Sequence, residues 1–408
     1  MRGRDRALPP AKVIDAALRK ITETLTAALA GAHTAAPDWS ELEWNLAKGV
    51  AAMHGISSLL SRALSWQGRG GWADFLEEQR AHTANRHLRI IELVRRIDER
   101  ARAHEINTIA LKGAALHALG VYESGDRPMA DLDLLVRPQD EERAVRMLES
   151  LEYRECRMRA LERAFAPLAA PKTAALGEHA ENPVKIELHD RISKQLPYLE
   201  TDVSEFIFPA QPRPGLSAYP SLAALMLHLL LHAAASMATR SLRLVQLHDL
   251  ALLAPRMMAA DWEELLEYRA AKPLWWAWPP LDLMLRYYAA AVPIRVSDAL
   301  RSDCPPHLIR VHRRHLVSDV SYSHLWVDAF PGIEWSRSLP EMARYAFSRI
   351  RPSAELISMR GELATQEAWA SDKEWSGLSQ ARRVLTWLTS RPTRPATMHV
   401  VRAVLGTR

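Results

Sequence analysis

The feature that most constrains this chain is a pair of aspartates, Asp131 and Asp133, set two residues apart inside an apolar run. The leucines and valine around them, at positions 132 and 134–136, predict a buried strand. Side chains two positions apart in a strand point to the same face, so both carboxylates converge on one spot. Like charges held this close repel each other unless a cation lies between them. Oxygen ligands of this kind suit Mg²⁺, so the pair predicts a site for a divalent metal whose coordination is completed by substrate phosphates.

A later strand offers a third acidic residue. Residues 184–189 alternate as a strand, which places Lys185, Glu187 and His189 on one face. Sites that hold two metal ions for phosphoryl or nucleotidyl transfer need ligands beyond one pair of aspartates. We therefore predict that Glu187 completes the site, with Asp190 as the second candidate. His189 is expected to assist proton transfer or to hydrogen-bond the acid that holds the metal, and the second role is the more typical.

Upstream of the aspartates, a predicted strand over residues 108–111 ends at Lys112-Gly113, and a helix is predicted over residues 114–119. Backbone N–H groups and the helix dipole at such a junction favour a phosphate. Gly113 permits a close approach of the backbone, while Lys112 and Arg127 carry charge that would neutralise a triphosphate. Either cation can instead form a structural ion pair with a neighbouring aspartate.

The glycine turn, the helix, the strand with Asp131 and Asp133, and the later strand acid together resemble the DNA polymerase β-like nucleotidyltransferase superfamily. More narrowly, the chain is similar to the uncharacterised bacterial nucleotidyltransferases within it. The resemblance is carried by Leu111-Lys112-Gly113, Tyr122, Arg127, the run from Asp131 to Val136, Tyr153 and Glu187-Leu188-His189, and more loosely by Trp39, His54-Gly55, Asn85, Leu231-His232, Arg243 and Asp249. The superfamily usually has Gly-Gly or Gly-Ser at the phosphate turn, whereas the narrower family commonly has the Lys-Gly found here.

This resemblance implies transfer of a nucleoside monophosphate from an NTP, with ATP the first candidate, to a hydroxyl or phosphate of an acceptor. The reaction would depend on Mg²⁺ or Mn²⁺ and release pyrophosphate. By the resemblance, the catalytic and metal-binding residues are Asp131, Asp133 and Glu187, and the nucleotide-binding residues are Lys112, Gly113 and Arg127. Arg243 and Asp249 are expected to line or brace the acceptor cleft.

The acceptor is not named by these residues. Members of the family resemble enzymes encoded beside genes for peptide natural products, so a peptide, a protein or a small molecule is favoured over RNA. A net charge of +5 also falls short of the strongly basic character of a dedicated nucleic-acid binder. Two other classes of function stay open, a catalytically inactive module that senses a nucleotide or binds a partner, and a component of toxin–antitoxin type. The intact acids favour the enzyme.

Composition and patterning predict a cytoplasmic protein. Cys156 and Cys304 are the only cysteines and lie far apart, which excludes a disulfide framework. The charged N-terminal residues lack the apolar core of a secretion signal. The most apolar stretch, residues 222–238, is interrupted by His228 and His232 and predicts a buried helix rather than a membrane span.

The chain divides into three regions by its sequence patterns. Residues 1–104 show helical periodicity almost throughout. Residues 105–196 interleave strand and helix patterns, which predicts the α+β core, a small mixed β-sheet with helices on one face. Residues 197–408 return to helix and include a tryptophan-rich segment and a basic tail. The expected architecture is thus a nucleotidyltransferase core between two mainly helical regions.

Overall fold

The structure is a computed structural model that describes residues 8–32, 35–159, 162–169, 176–352 and 380–406. The strands are β1 (Asn107–Ala110), β2 (Asp131–Val136), β3 (Tyr153–Arg159), β4 (Glu162–Pro167), β5 (Lys185–His189), β6 (Ser193–Leu196), β7 (Leu199–Asp202) and β8 (Gly215–Ser217). The helices are α1 (Ala11–Leu29), α2 (Glu41–His54), α3 (Ser57–Ala63), α4 (Trp72–Ala103), α5 (Lys112–Ala118), α6 (Glu141–Ser150), α7 (Ser204–Ile207), α8 (Leu222–Ala238), α9 (Leu244–Leu253), α10 (Ala259–Ala271), α11 (Trp278–Tyr287), α12 (Ile294–Asp303), α13 (Pro306–His312), α14 (Val317–Val320), α15 (Leu339–Ile350), α16 (Gln380–Thr389) and α17 (Pro395–Leu405).

Within the described residues, six strands form one mixed sheet in the order β3-β4-β5-β2-β1-β8. β2 pairs in parallel with β5, and β1 in parallel with β8, while the other neighbours are antiparallel. The β2–β5 register sets Asp133 opposite Glu187. The predicted α+β class with a small mixed sheet is confirmed, and β8 joins this sheet from beyond residue 196.

The two faces of the sheet have different neighbours. On one face, alternate residues of β2 and β5, such as Leu134 and Ile186, pack with the apolar sides of α4 and α6. On the other face, Leu135 of β2 and Ile109 of β1 belong to a core that includes α5 and α8. Because the alternation places Asp133 on this second face, its carboxylate lies on the side of the sheet that faces away from α4 and α6.

The helical regions before and after the sheet share one hydrophobic core. Ile21 of α1, Val50 of α2, Leu230 of α8 and Val401 of α17 all belong to it. The buried Thr22 hydroxyl also lies 2.8 Å from the hydroxyl of Ser323. The predicted division at residues 104 and 196 stays a prediction, and the core extends across both ends of it.

α8 shows how local signals set an element that supports the site. The side chain of Ser221 accepts a hydrogen bond from Ala224 N and so begins the helix. The apolar residues that follow are buried on most sides, as predicted for residues 222–238. None of the helices in the described segments combines the length and the apolar content that crossing a membrane requires.

The tryptophan-rich segment and the basic tail contribute mainly to packing where the structure describes them. Trp262, Trp276 and Trp335 are buried. The tail forms α16 and α17, and Val400 of α17 lies against Gly49 of α2.

Candidate active site

Three side chains from two parallel strands converge at the centre of the sheet. Asp133 lies on β2, and Glu187 and His189 lie on the matching face of β5. One ligand atom from each of the three lies within 4.8 Å of those of the other two. Asp133 and His189 are buried, Glu187 is half-buried, and His189 Nε2 is 3.1 Å from Asp133 Oδ1. The sheet therefore holds two carboxylates and an imidazole in a group of the size that a metal ion needs.

Lys112 reaches the same group from the start of α5. Its Nζ donates a hydrogen bond to Asp133 Oδ1 at 2.7 Å, and the two side chains are 15% and 8% exposed. Lys112 has a φ of +46°, a left-handed conformation that costs a residue with a side chain about 1–2 kcal/mol. Its backbone N donates a hydrogen bond to Tyr219 Oη at 3.3 Å. The same hydroxyl is hydrogen-bonded to His228 Nδ1. The surroundings thus hold Lys112 in a strained position against Asp133.

These contacts distribute charge unequally between the two aspartates. Burial raises the pKa of Asp131, and the neighbouring Asp133 raises it further. Burial also opposes ionisation of Asp133, yet the charge of Lys112 and the hydrogen bond with His189 hold the pKa of Asp133 well below its usual range. Burial lowers the pKa of Lys112, but Asp133 and Asp131 outweigh it and raise the value overall. Asp133 is therefore the fixed negative charge of the site.

Asp131 begins β2 and is half-buried, beside the group of three rather than within it. The charge of Arg243 is close enough to favour its ionised form. Arg243 precedes α9, and its Nε donates to Met53 O at 3.0 Å. Asp190 follows β5, and its carboxylate lies 3.7 Å from the guanidinium of the adjacent Arg191.

Arg127 and Asp249 form a separate ion pair next to the site. Arg127 Nε and Nη2 donate to the two oxygens of Asp249, both at 2.8 Å, and Tyr122 Oη donates to the same carboxylate at 2.7 Å. The guanidinium packs against α5 at Gly113, where a Cβ would overlap Arg127 Nη1. Gly113 has no positive φ, so its lack of a side chain serves this packing. The structural ion pair, which the sequence left open for Arg127, is the arrangement found.

Arg86 on α4 is a residue of this region that the sequence reasoning missed. Its Nη2 donates to Met129 O at 3.0 Å and to Ala130 O at 3.3 Å, directly before Asp131. Its Nη1 donates to Asn182 O and its Nε faces the Glu178 carboxylate at 2.9 Å. Arg86 thereby connects residues 129–130, which precede β2, to Asn182, which precedes β5. An arginine at a core-facing position of an amphipathic helix was the available signal.

α8 contributes two histidines to the surroundings of Lys112. His228 and His232, one helical turn apart, lie near enough to Lys112 and Lys194 for those charges to act on them. Burial first, and then the charge of Lys112, hold the pKa of both imidazoles well below the usual range. The histidines are therefore neutral at physiological pH. His228 Nδ1 lies 2.7 Å from the Tyr219 hydroxyl that also contacts Lys112 N, so the fold places His228 beside the site.

Comparison with known proteins gives one finding. A family described as uncharacterised nucleotidyltransferase matches residues 40–287, more than half of the chain. The matched range begins at the residue that caps α2, includes the whole sheet and ends with α11. No curated protein and no solved structure matches the chain.

Proposed function

Because the chain belongs to the uncharacterised nucleotidyltransferase family, we propose that it transfers a nucleoside monophosphate from an NTP to an acceptor and releases pyrophosphate. ATP is the first candidate donor, and the acceptor group is a hydroxyl or a phosphate. The observation that carries the proposal is the convergence of Asp133, Glu187 and His189 beside Lys112. Carboxylates and a fixed cation at one point are what binding and cleaving a metal-complexed triphosphate requires.

The donor set fits a divalent metal. The ligand atoms of Asp133, Glu187 and His189 lie close together, and Asp131 adds a carboxylate at the edge of this group. We assign Asp131, Asp133 and Glu187 to hold Mg²⁺ or Mn²⁺. When bound there, such an ion neutralises phosphate charge and makes the attacking oxygen more acidic.

The chain's own groups then have separate roles. Glu187 accepts the proton of the attacking acceptor hydroxyl, while the acceptor oxygen forms its bond to the α-phosphorus and pyrophosphate leaves. Lys112 binds the β- and γ-phosphates and stabilises the charge that develops on the leaving group. Gly113 and Arg127 support Lys112, because the guanidinium held by Asp249 packs against the turn.

For the acceptor we propose a peptide, a protein or a small molecule rather than RNA. Arg243 supports this side of the site, since it lies between the N-terminal helices and Asp131. Asp249 braces it from α9 through Arg127. Asp190 and His189 are the remaining polar groups at the end of β5.

The test is a labelling experiment with the purified chain, Mg²⁺ or Mn²⁺, and a cell extract as the source of acceptor. Each NTP is supplied in parallel with the label at the α- or the γ-phosphate. We expect label from the α-position only to be retained on a product. Asp131→Ala combined with Asp133→Ala should abolish the transfer. Asp74→Asn, an exposed carboxylate on α4, is the matched control and should leave it unchanged.

The other outcomes assign other functions. Retention of the γ-label would mean phosphoryl transfer and would contradict the mechanism. NTP binding without transfer of either label, with a panel of extracts, would favour the nucleotide-sensing or partner-binding class. Growth arrest on expression that requires the aspartates would favour the toxin–antitoxin class.

A further inference from the structure

His189 has a position that a supporting residue does not need. A histidine that only orients an acid requires one hydrogen bond to it, whereas the ring nitrogen of His189 lies within reach of both Asp133 and Glu187. In the β2–β5 register, His189 and Glu187 are on the same strand face, and Asp133 lies opposite Glu187. The three donors therefore form one compact group.

We propose that His189 is a direct ligand of the metal ion at this site, through Nε2, and that it makes the site prefer Mn²⁺ over Mg²⁺. The inference rests on the proposed function, since it concerns the metal that function requires. Imidazole nitrogen is a good ligand for transition metals, whereas Mg²⁺ prefers oxygen donors and retains several waters. Two carboxylates and one imidazole thus favour the ion that accepts both kinds of donor.

The distances fit this role with a small adjustment. Ligand atoms of a single ion held at about 2.1 Å lie at most about 4.2 Å apart. The three atoms here lie within 4.8 Å of one another, so a contraction of at most about 0.6 Å, within the freedom of side-chain torsions, brings the widest pair inside this limit. As a ligand, His189 would present the Nε2 lone pair to the ion, which requires that the ring proton be on Nδ1.

Lys112 explains how the group is held together before an ion binds. Its Nζ lies 2.7 Å from the same Asp133 oxygen that His189 Nε2 approaches. The lysine supplies a positive charge among three carboxylates. The charges of Asp133, Asp131 and Glu187 all favour its charged form. An ion held by that oxygen would replace Lys112 there, and the lysine would then be available to bind phosphate.

Loss of affinity alone cannot test a ligand, because removing a residue that only supports a ligand also costs about 10- to 100-fold in metal binding. The decisive measurement is electron spin echo envelope modulation of Mn²⁺ bound to the full chain, which detects a directly coordinated ¹⁴N. We expect nitrogen modulation in the wild type and none in His189→Gln or His189→Ala. His179→Ala, which removes a histidine that stacks on His82 instead, should retain the modulation. Thermal unfolding checks that each variant folds.

A titration of Mn²⁺ in competition with Mg²⁺ gives the second readout. His189→Ala should weaken Mn²⁺ by about 10- to 100-fold and weaken Mg²⁺ less, so that the preference is lost. Mn²⁺ that binds the wild type without nitrogen modulation would overturn the role of His189 and leave the proposed function standing. Failure of Mn²⁺ to bind with or without NTP, or binding that Asp133→Asn does not weaken, would overturn the proposed function and this inference together.

Discussion

Two buried acid–cation pairs lie next to each other in this protein, and they are built differently. Arg127 and Asp249 are joined by two parallel hydrogen bonds, and the Tyr122 hydroxyl donates a third to the same carboxylate. Lys112 and Asp133 share a single contact on an oxygen that His189 also approaches. In the first pair, the Asp249 carboxylate is hydrogen-bonded by fixed partners. In the second pair, Lys112 and His189 compete for one oxygen of Asp133.

The difference separates a structural element from a working one. A bidentate pair with a third donor has its geometry fixed by several contacts, so it can position neighbouring residues. A carboxylate that a lysine holds through one contact can exchange that partner for a metal ion without moving the backbone. On the proposed function, similar charges give a rigid pair at α9 and an exchangeable one at β2, and the following variants test this contrast.

The largest effect is expected on catalysis, from Asp133→Asn. The amide keeps the size of the side chain but loses the charge, so transfer should fall by about 10³-fold or more. The free energy of unfolding should fall by less than in Asp249→Asn, because Asp131 and Glu187 remain as counter-charges for the buried Lys112. Retained transfer in the labelling assay would show that Asp133 is not the fixed charge of the site.

Asp249→Asn should show the reverse pattern. It leaves the Arg127 guanidinium buried without a counter-charge, which costs about 3–5 kcal/mol of unfolding free energy in comparable pairs. Urea denaturation measures the change directly. The double variant Arg127→Met/Asp249→Leu should recover much of the loss, since it removes both charges. A full loss in the double variant would mean that shape, and not charge, is what the pair supplies.

Gly113→Ala tests whether the Arg127–Asp249 pair and the candidate active site are coupled. Alanine is otherwise favourable in a helix, but here its Cβ overlaps Arg127 Nη1 and comes within 3.0 Å of Met129 Cγ. We expect a net loss of about 1–3 kcal/mol in unfolding free energy. The loss should be smaller when Asp249→Asn is present, because the guanidinium is then free to move. Equal losses in the two backgrounds would show that the two positions are independent.

Lys112→Met should raise Mn²⁺ affinity by roughly tenfold. The change removes the cation that competes for Asp133 Oδ1 and leaves the carboxylates to attract the metal. Transfer should nevertheless fall, because the phosphates lose their cation. An Mn²⁺ titration followed by electron paramagnetic resonance measures the affinity. Weaker binding would mean that Lys112 organises the ligands rather than competing with the ion.

The smallest effect is expected from a change of pH, which acts on stability through His248, beside the Arg127–Asp249 pair. Burial lowers the pKa of His248 from 6.5 to about 4. The unfolded chain therefore takes up a proton below about pH 6.5 that the folded chain refuses until about pH 4, so stability falls as the pH decreases through this range.

The contribution of His248 between pH 7.5 and pH 5.5 is about 1 kcal/mol. His248→Phe should lose less unfolding free energy than the wild type over the same interval, as measured by urea denaturation at the two pH values. Equal losses would show that other buried histidines, such as His54, account for the dependence.

The sequence predicted the strands of the site well, because local alternation encodes which face a side chain occupies. β5 was predicted over residues 184–189 and covers Lys185–His189, and the strand with Asp131 and Asp133 is β2. The boundary at Lys112 was missed, since α5 begins at that residue and not after the glycine. A lysine at positive φ is held there by sheet and side-chain contacts that no local pattern contains.

Long-range pairing was the part that sequence could not provide. Arg127 and Asp249 are 122 residues apart, and Arg86 contacts Ala130 and Asn182 across 44 and 96 residues. The family resemblance named Arg127 and Asp249 without showing that they pair, and Arg86 was not identified at all. The separation of Asp131 from the group of three is likewise a product of the β2–β5 register and the position of Lys112.

The core that α1 shares with the C-terminal part of the chain has a consequence for synthesis. The hydroxyls of Thr22 and Ser323, which are 301 residues apart, meet inside it, and α17 packs on α2. A ribosome delivers the first helices long before the segments that cover them, and contacts this distant in sequence form slowly. The nascent chain thus carries an uncovered apolar surface on α1 and α2 until the segments around Ser323 and α17 have been synthesised.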